Sequence, residues 1–142
     1  MHGLSPEEIA EYEDDEGFRS AAYQDSLGYW TIGIGRLVDA RKGGGISRDE
    51  ALYLLSNDLK RVDAELDKAL PWWREMNAAR QRVLRNMCFN MGLRTLLTFK
   101  NTLAAMQRGD YRAAAAGMRA SKWATQVKGR AVRLARTMEN GE

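Results

Sequence analysis

Cysteine occurs once in this 142-residue chain, at position 88, and histidine once. A lone thiol cannot close an intramolecular disulfide, which agrees with a reducing compartment. One cysteine and one histidine also make a protein-built zinc site improbable, and no metal or cofactor is expected. No apolar run approaches the ~18 residues needed to cross a bilayer. The opening residues, Met1 to Glu8, lack the basic flank and apolar stretch of a secretory signal. The chain is therefore expected to start life in a cytoplasm, with no export device of its own. No internal repeat and no low-complexity segment is present. No helix-turn-helix or aromatic-interleaved basic platform is evident, so nucleic acid is not an expected partner.

What is present is enough for a real core: 44% of the residues are hydrophobic. The length fits one domain, or two small lobes sharing a helix. The net charge of +3 hides a polarity along the chain. Residues 1–30 hold eight acids and one base, net −7; residues 93–142 hold ten bases and three acids, net +7. Such a basic end either neutralises the acidic beginning or meets a polyanion such as nucleic acid, lipopolysaccharide or an anionic wall.

Local signals order the elements. Ser5, with Pro6 at the first position and Glu7 and Glu8 in the first turn, starts a helix over 5–16 that Gly17 can stop. Ala21 to Gln24 reads as a short strand, and Asp25-Ser26-Leu27-Gly28 as a turn. Tyr29 to Ile34 reads as a strand with Trp30, Ile32 and Ile34 on one face, Tyr29, Thr31 and Gly33 on the other. If the first face is core, Thr31 is presented to the open side. Arg41 to Gly45 reads as a flexible loop. Ser47 and Glu50 form a capping box for a helix with Leu52, Leu55, Leu59, Val62, Leu66 and Leu70 at helical spacing, ending at Pro71. Asn77 caps the next helix, with Val83, Leu84, Met87, Cys88 and Met91 inward, and Gly92 ends it. Short helices follow over Phe99–Gln107, from Asp110 and Tyr111 to about Lys122, and over Val127–Met138. A helix, a small sheet of about 17–46, a long helix of about 47–70 and a helical bundle over about 71–142 make an α+β fold.

The chemistry concentrates in Glu16-Gly17-Phe18-Arg19 and Tyr23 to Gly35. Glu16 is followed nine residues on by Asp25, and six further by Thr31. Two carboxylates at a fixed distance are the minimum for cleaving a glycosidic bond. Glu16, beside Phe18 and Tyr23, can serve as a general acid if apolar surface raises its pKa. The alternative is one more exposed acid of the run Glu13 to Glu16. Asp25 in a turn can deprotonate a water, stabilise a cationic transition state or attack the sugar; otherwise it is a turn aspartate bonding its own backbone. Thr31 can hold the attacking water from a second side, or is simply a good strand residue.

The spacing Glu-x8-Asp-x5-Thr and the flanking Asp-Ser-x-Gly-Tyr-x-Thr-Ile-Gly-x-Gly resemble the signature of the phage-type lysozymes, glycoside hydrolase family 24 of the T-even phage type. The resemblance continues through Asn86 to Gly92, Phe99 to Leu103 and Ser121-Lys122-Trp123 with Gln126 and Arg130. It implies a lysozyme-like fold, with a small antiparallel sheet lobe joined by the long helix to a helical C-terminal lobe. It further implies an endolysin, a muramidase that hydrolyses the β-1,4 bond between N-acetylmuramic acid and N-acetylglucosamine of peptidoglycan with inversion. In that reading Glu16 is the acid, Asp25 activates or positions water, and Thr31 co-holds it. Leu37, Phe89 and Thr102 match saccharide contacts; Phe89 as core packing and Thr102 as a helix surface are the alternatives. Arg130 matches an arginine pairing with the catalytic glutamate, which it would orient while lowering its pKa. A monomer is the default, held in the host bacterial cytoplasm until a separate pore protein releases it to the wall.

Three positions depart from the family. Arg36 stands where histidine is usual, the interval from Gly35 to Ile46 is short, and Gly117 replaces a polar contact residue. The arginine-rich end also permits Lys128, Arg130, Arg133 and Arg136, with Val127, Val132 and Leu134, to lie on an anionic outer-membrane or lipopolysaccharide surface. The alternative is a last bundle helix with a solvated basic face. Rival activities are a lytic transglycosylase on the same bond, which would need neither Asp25 nor Thr31, a chitinase-like preference, a membrane-active basic protein, and an inactive wall-binding module.

Overall fold

Ser5 starts the first helix, α1 (Pro6–Glu16), with a complete capping box. The Glu8 amide donates to Ser5 Oγ at 3.1 Å, and the Ser5 amide donates to Glu8 Oε2 at 3.0 Å. Two of the amides that a helix start leaves unpaired are satisfied in this way. At the other end the Gly17 amide donates to the Glu13 carbonyl at 2.8 Å and the chain turns away. This computed structural model describes residues 3–38, 40, 42 and 45–142, so Arg41, Gly43 and Gly44 of the expected flexible loop lie outside the described residues.

Three antiparallel strands follow in the order β1 (Arg19–Gln24), β2 (Trp30–Gly33) and β3 (Arg36–Leu37). Tyr23 pairs with Thr31, and Thr31 with Leu37, so these three side chains share one face. The expected face preference of β2 is reversed. Thr31 is buried, at 4% exposure, while Trp30 and Ile32 are half-buried and Ile34 is exposed beyond the strand end. The physical reason is position: Thr31 sits in the central strand with a larger partner directly opposite on each side. The two-residue β3 was not foreseen, because so short a strand carries no alternation.

Ser47 and Glu50 cap the next helix, α2 (Arg48–Ala69), through bonds of 3.1 and 3.2 Å. At ~1.5 Å per residue it is roughly 33 Å long. The chain divides into two compact units, Met1–Tyr53 and Leu54–Glu142, and the division falls within α2. The leucine stripe of that helix does not face inward along its whole length. Leu52 and Leu55 are exposed; Val62 and Leu66 are buried.

The second unit is helical. A 3-10 turn (Pro71–Glu75) leads to α3 (Ala78–Met91), α4 (Leu93–Leu96), α5 (Lys100–Gln107), α6 (Tyr111–Arg119), α7 (Lys122–Val127) and α8 (Gly129–Asn140). The helix expected from Tyr111 to Lys122 is broken at Ala120, because Ser121 Oγ accepts the Ala124 amide at 3.1 Å and caps α7. Helix α6 packs between α5 and α8, and α8 also meets α3. The core cluster lies wholly between Val62 and Met138, around Leu66, Trp73, Leu84, Met87, Met106 and Met118. Arg80 fastens the end of α8: Nε donates to the Met138 carbonyl at 2.7 Å and Nη2 to that of Glu139 at 3.0 Å. Its guanidinium lies 3.6 Å from the centre of the Tyr111 ring. A cation there complements the negative end of the helix.

Candidate active site

In the first unit the three-stranded sheet and its turns touch all three residues singled out by the motif. Asp25 stands where β1 leaves for the turn. Its amide donates to the Tyr29 carbonyl at 2.8 Å, and its Oδ1 accepts the Leu27 and Tyr29 amides at 2.9 and 2.8 Å. The turn thus fixes a half-buried carboxylate through one oxygen and does not use Oδ2. Thr31 lies two residues after Tyr29 on β2, where its Oγ1 donates to the Tyr29 carbonyl at 3.2 Å. That leaves the lone pairs of the hydroxyl free to accept from a water.

Glu16 is the last residue of α1 and is exposed. No apolar enclosure surrounds its carboxyl within this unit. Its carboxyl instead lies over Gly35 in the tight turn from β2 to β3. A Cβ built on Gly35 would stand 2.6 Å from Glu16 Oε2 and 2.7 Å from its Cδ. The sequence reading missed this contact; its only signal was a glycine in the flanking motif.

Arg36, next along, forms an ion pair with Glu50. The Ser47 backbone amide, and then the Arg36 guanidinium, hold the Glu50 carboxyl below its ordinary value. At the position where the family usually has histidine, this pair ties β3 to the start of α2. Leu37, on β3 opposite Thr31, is exposed.

In the second unit, Phe89 and Arg130 come together. With Leu55, Leu59, Arg85 and Asn86 they line an open hollow of about 320 Å³. Phe89 is exposed, not core. Asn86 Oδ1, in the same hollow, is the one buried side-chain polar atom without a partner among the described residues. Thr102 does not join this group. It is 6% exposed on α5, and a Cβ at Gly117 of α6 would collide with its Oγ1. It is buried and not a helix surface: the glycine that departs from the family makes room for it.

A second hollow, of about 490 Å³, was not foreseen. Met91, Thr95, Phe99, Ser121, Trp123 and Gln126 line it. Phe99 and Trp123 meet edge to face at 6.5 Å, and Trp123 Nε1 donates to Asn90 Oδ1 at 2.8 Å. All of these lining residues but Thr95 lie in segments that carried family resemblance, but their meeting depends on chain path between distant positions. Cys88 is buried and its thiol is pushed up to about 11, first by burial and then by Glu65, so it offers no thiolate for chemistry near neutrality. Among the described residues no cluster of metal-ligating side chains occurs.

Residues 13–138 match the family described as phage lysozyme. The chain is 34% identical over 145 residues to the pre-baseplate central spike protein Gp5 of Enterobacteria phage T4, covering 84% of this chain and 25% of the spike protein. It is 31% identical over 130 residues to the peptidoglycan hydrolase gp36 of Pseudomonas phage phiKMV, covering 87% of this chain but 14% of that protein. Against the probable T4-type lysozyme 1 of Dictyostelium discoideum it is 26% identical over 153 residues, covering 89% of this chain and 90% of that protein. The chain thus spans a small part of the two phage proteins and most of the third.

Proposed function

The chain belongs to the phage lysozyme family, and from that premise we propose that it is a muramidase. It cleaves the β-1,4 bond between N-acetylmuramic acid and N-acetylglucosamine in peptidoglycan by inverting hydrolysis. The observation that carries the proposal is the three-stranded sheet that holds Asp25 at its first turn, Thr31 in its central strand and the Glu16 carboxyl against its second turn. Glu16 protonates the leaving oxygen. Asp25, through the oxygen its turn leaves unused, takes the proton of a water that Thr31 Oγ1 helps to hold. The exposure of Glu16 assigns the drying of the acid to the bound saccharide, which excludes water as it covers the carboxyl. Leu37 and Phe89 are assigned as sugar contacts, being exposed and apolar.

Mass spectrometry of the sugars released from purified peptidoglycan tests the reaction. Products ending in reducing N-acetylmuramic acid support it; products one water lighter identify a transglycosylase and remove Asp25 and Thr31 from their roles. Glu16→Gln is expected to abolish release. The names of the relatives cover both a lysozyme and a spike protein, so the biological setting is a separate part of the proposal: an endolysin, monomeric, held in the host cytoplasm until released to the wall. Cell fractionation before and after lysis tests that setting.

The row Lys128, Arg130, Arg133 and Arg136 supports one further partner, an anionic outer-membrane or lipopolysaccharide surface. These side chains are exposed on or next to α8, whereas Ala131, Leu134, Ala135 and Met138 are buried in the bundle. Contact with such a surface is therefore by charge, with Val132 the one large exposed apolar side chain of that helix. Binding to anionic vesicles that vanishes at high salt is the expected result.

A further inference from the structure

Gly33 and Gly35 lie two residues apart, both with φ of +69°. An L side chain is strained at either position. They differ in what a side chain would meet. Around Gly33 nothing lies within 4 Å of an added Cβ, whereas at Gly35 that atom would stand 2.6 Å from Oε2, 2.7 Å from Cδ and 2.8 Å from Cγ of Glu16. Backbone conformation explains glycine at 33. At 35 it explains only part of the requirement, and the remainder is space for a carboxyl group.

That space has rigid walls. Glu16 ends α1, whose chain is turned by Gly17, so its backbone cannot slide along the helix without breaking the 2.8 Å bond from the Gly17 amide to the Glu13 carbonyl. On the other side the turn is held by the strand pairing of Ile32 with Arg36 and by the ion pair of Arg36 with Glu50. A side chain at 35 would therefore be relieved chiefly by swinging the Glu16 carboxyl out of place.

We infer that Gly35 is a positioning residue for Glu16: its bare Cα is the seat on which the acid's carboxyl rests, and any side chain there displaces the carboxyl. The inference rests on the proposed role of Glu16 as general acid. Gly35 touches no reacting atom and acts only through Glu16.

Steady-state kinetics on soluble peptidoglycan fragments, with Gly35→Ala, Gly33→Ala, Glu16→Asp and the Gly35→Ala/Glu16→Asp double variant, test it. A misplacement of about 1 Å costs on the order of 10²-fold. Gly35→Ala is expected to lower kcat by about that factor with KM within about twofold of the parent. Gly33→Ala, also at positive φ but with no collision, should lower kcat far less. Aspartate at 16 is one methylene shorter and draws its carboxyl back from position 35. In that background Gly35→Ala should therefore cost only a few-fold in kcat, not on the order of 10²-fold. Equal kcat losses for the two glycine variants would overturn the inference, as would an unchanged cost of Gly35→Ala with aspartate at 16. Full activity of Glu16→Gln would sink the acid assignment instead, so the two failures are distinguishable. Should Gly35→Ala not fold, Gly35→Ser in the two Glu16 backgrounds carries the same comparison.

Discussion

Glu50 does two things with two oxygens: Oε1 accepts the Ser47 amide and closes the cap of α2, while Oε2 holds the guanidinium of Arg36. One carboxylate thereby joins the last strand of the sheet to the start of the long helix. Its pKa lies below the ordinary 4.5, chiefly through the Ser47 amide and then through Arg36. A carboxyl favoured in its charged form by folding contributes its full stabilisation above its unfolded value, and loses it as pH falls through the lowered folded value. In urea titrations Glu50→Gln is expected to be less stable than the parent at neutral pH. The difference should shrink once the pH drops below 4.5. An unchanged difference at low pH would deny the linkage.

Gly117→Ala sets two known effects against each other. Alanine in a helix interior is favoured over glycine by up to about 1 kcal/mol. Overpacking against Thr102 costs about 1–3 kcal/mol, and an added Cβ would collide with the Thr102 hydroxyl. A net destabilisation is expected. With Thr102→Ala as background the collision is gone, and the same change should become stabilising. Denaturant midpoints of the four proteins give the answer directly.

Asn90→Ala removes the acceptor of Trp123 Nε1, on an indole that is 5% exposed. A buried donor left unpaired costs about 1–3 kcal/mol. The expected loss of stability is of that order, with a change in tryptophan emission. Asn90→Asp keeps an acceptor and should recover most of it.

The Cys88 thiol, pushed up to about 11, is expected to resist a thiol-modifying disulfide reagent in the folded protein at pH 8. Denaturation should release one reactive thiol per chain, matching the single cysteine of the sequence. Rapid modification of the native protein would show that α3 opens on the time scale of the assay.

Helix starts were legible in the sequence because their chemistry is local. Ser5, Ser47, Asn77 and Asp110 each accept an amide three residues on, as their positions before helical runs suggested. Ser121 carried the same signal, but the alanine-rich run before it reads as continuous helix and hides the break. Burial was less legible. Thr31 is covered through its cross-strand partners, and the exposure of Leu52 and Leu55 depends on where the second unit begins; neither follows from periodicity. Of the candidate site, the sequence displayed residue types and spacing. That the Glu16 carboxyl meets Gly35, or that Phe89 and Arg130 share a hollow, depends on chain path between distant positions.

The core cluster runs from Val62 to Met138, whereas Thr31 is the one buried residue of the first unit among the described residues. Damage to the two parts should accordingly be told apart by heat. Truncating Leu66 or Leu84, both fully buried, costs about 2–5 kcal/mol and yields a protein that works in the cold and fails when warmed. Changes at Glu16 or Asp25 remove little buried surface, so the chain should melt close to the parent while cleaving nothing. A random library screened at two temperatures would sort itself along the sequence: temperature-sensitive clones mapping beyond position 54, heat-stable inactive ones clustering before it.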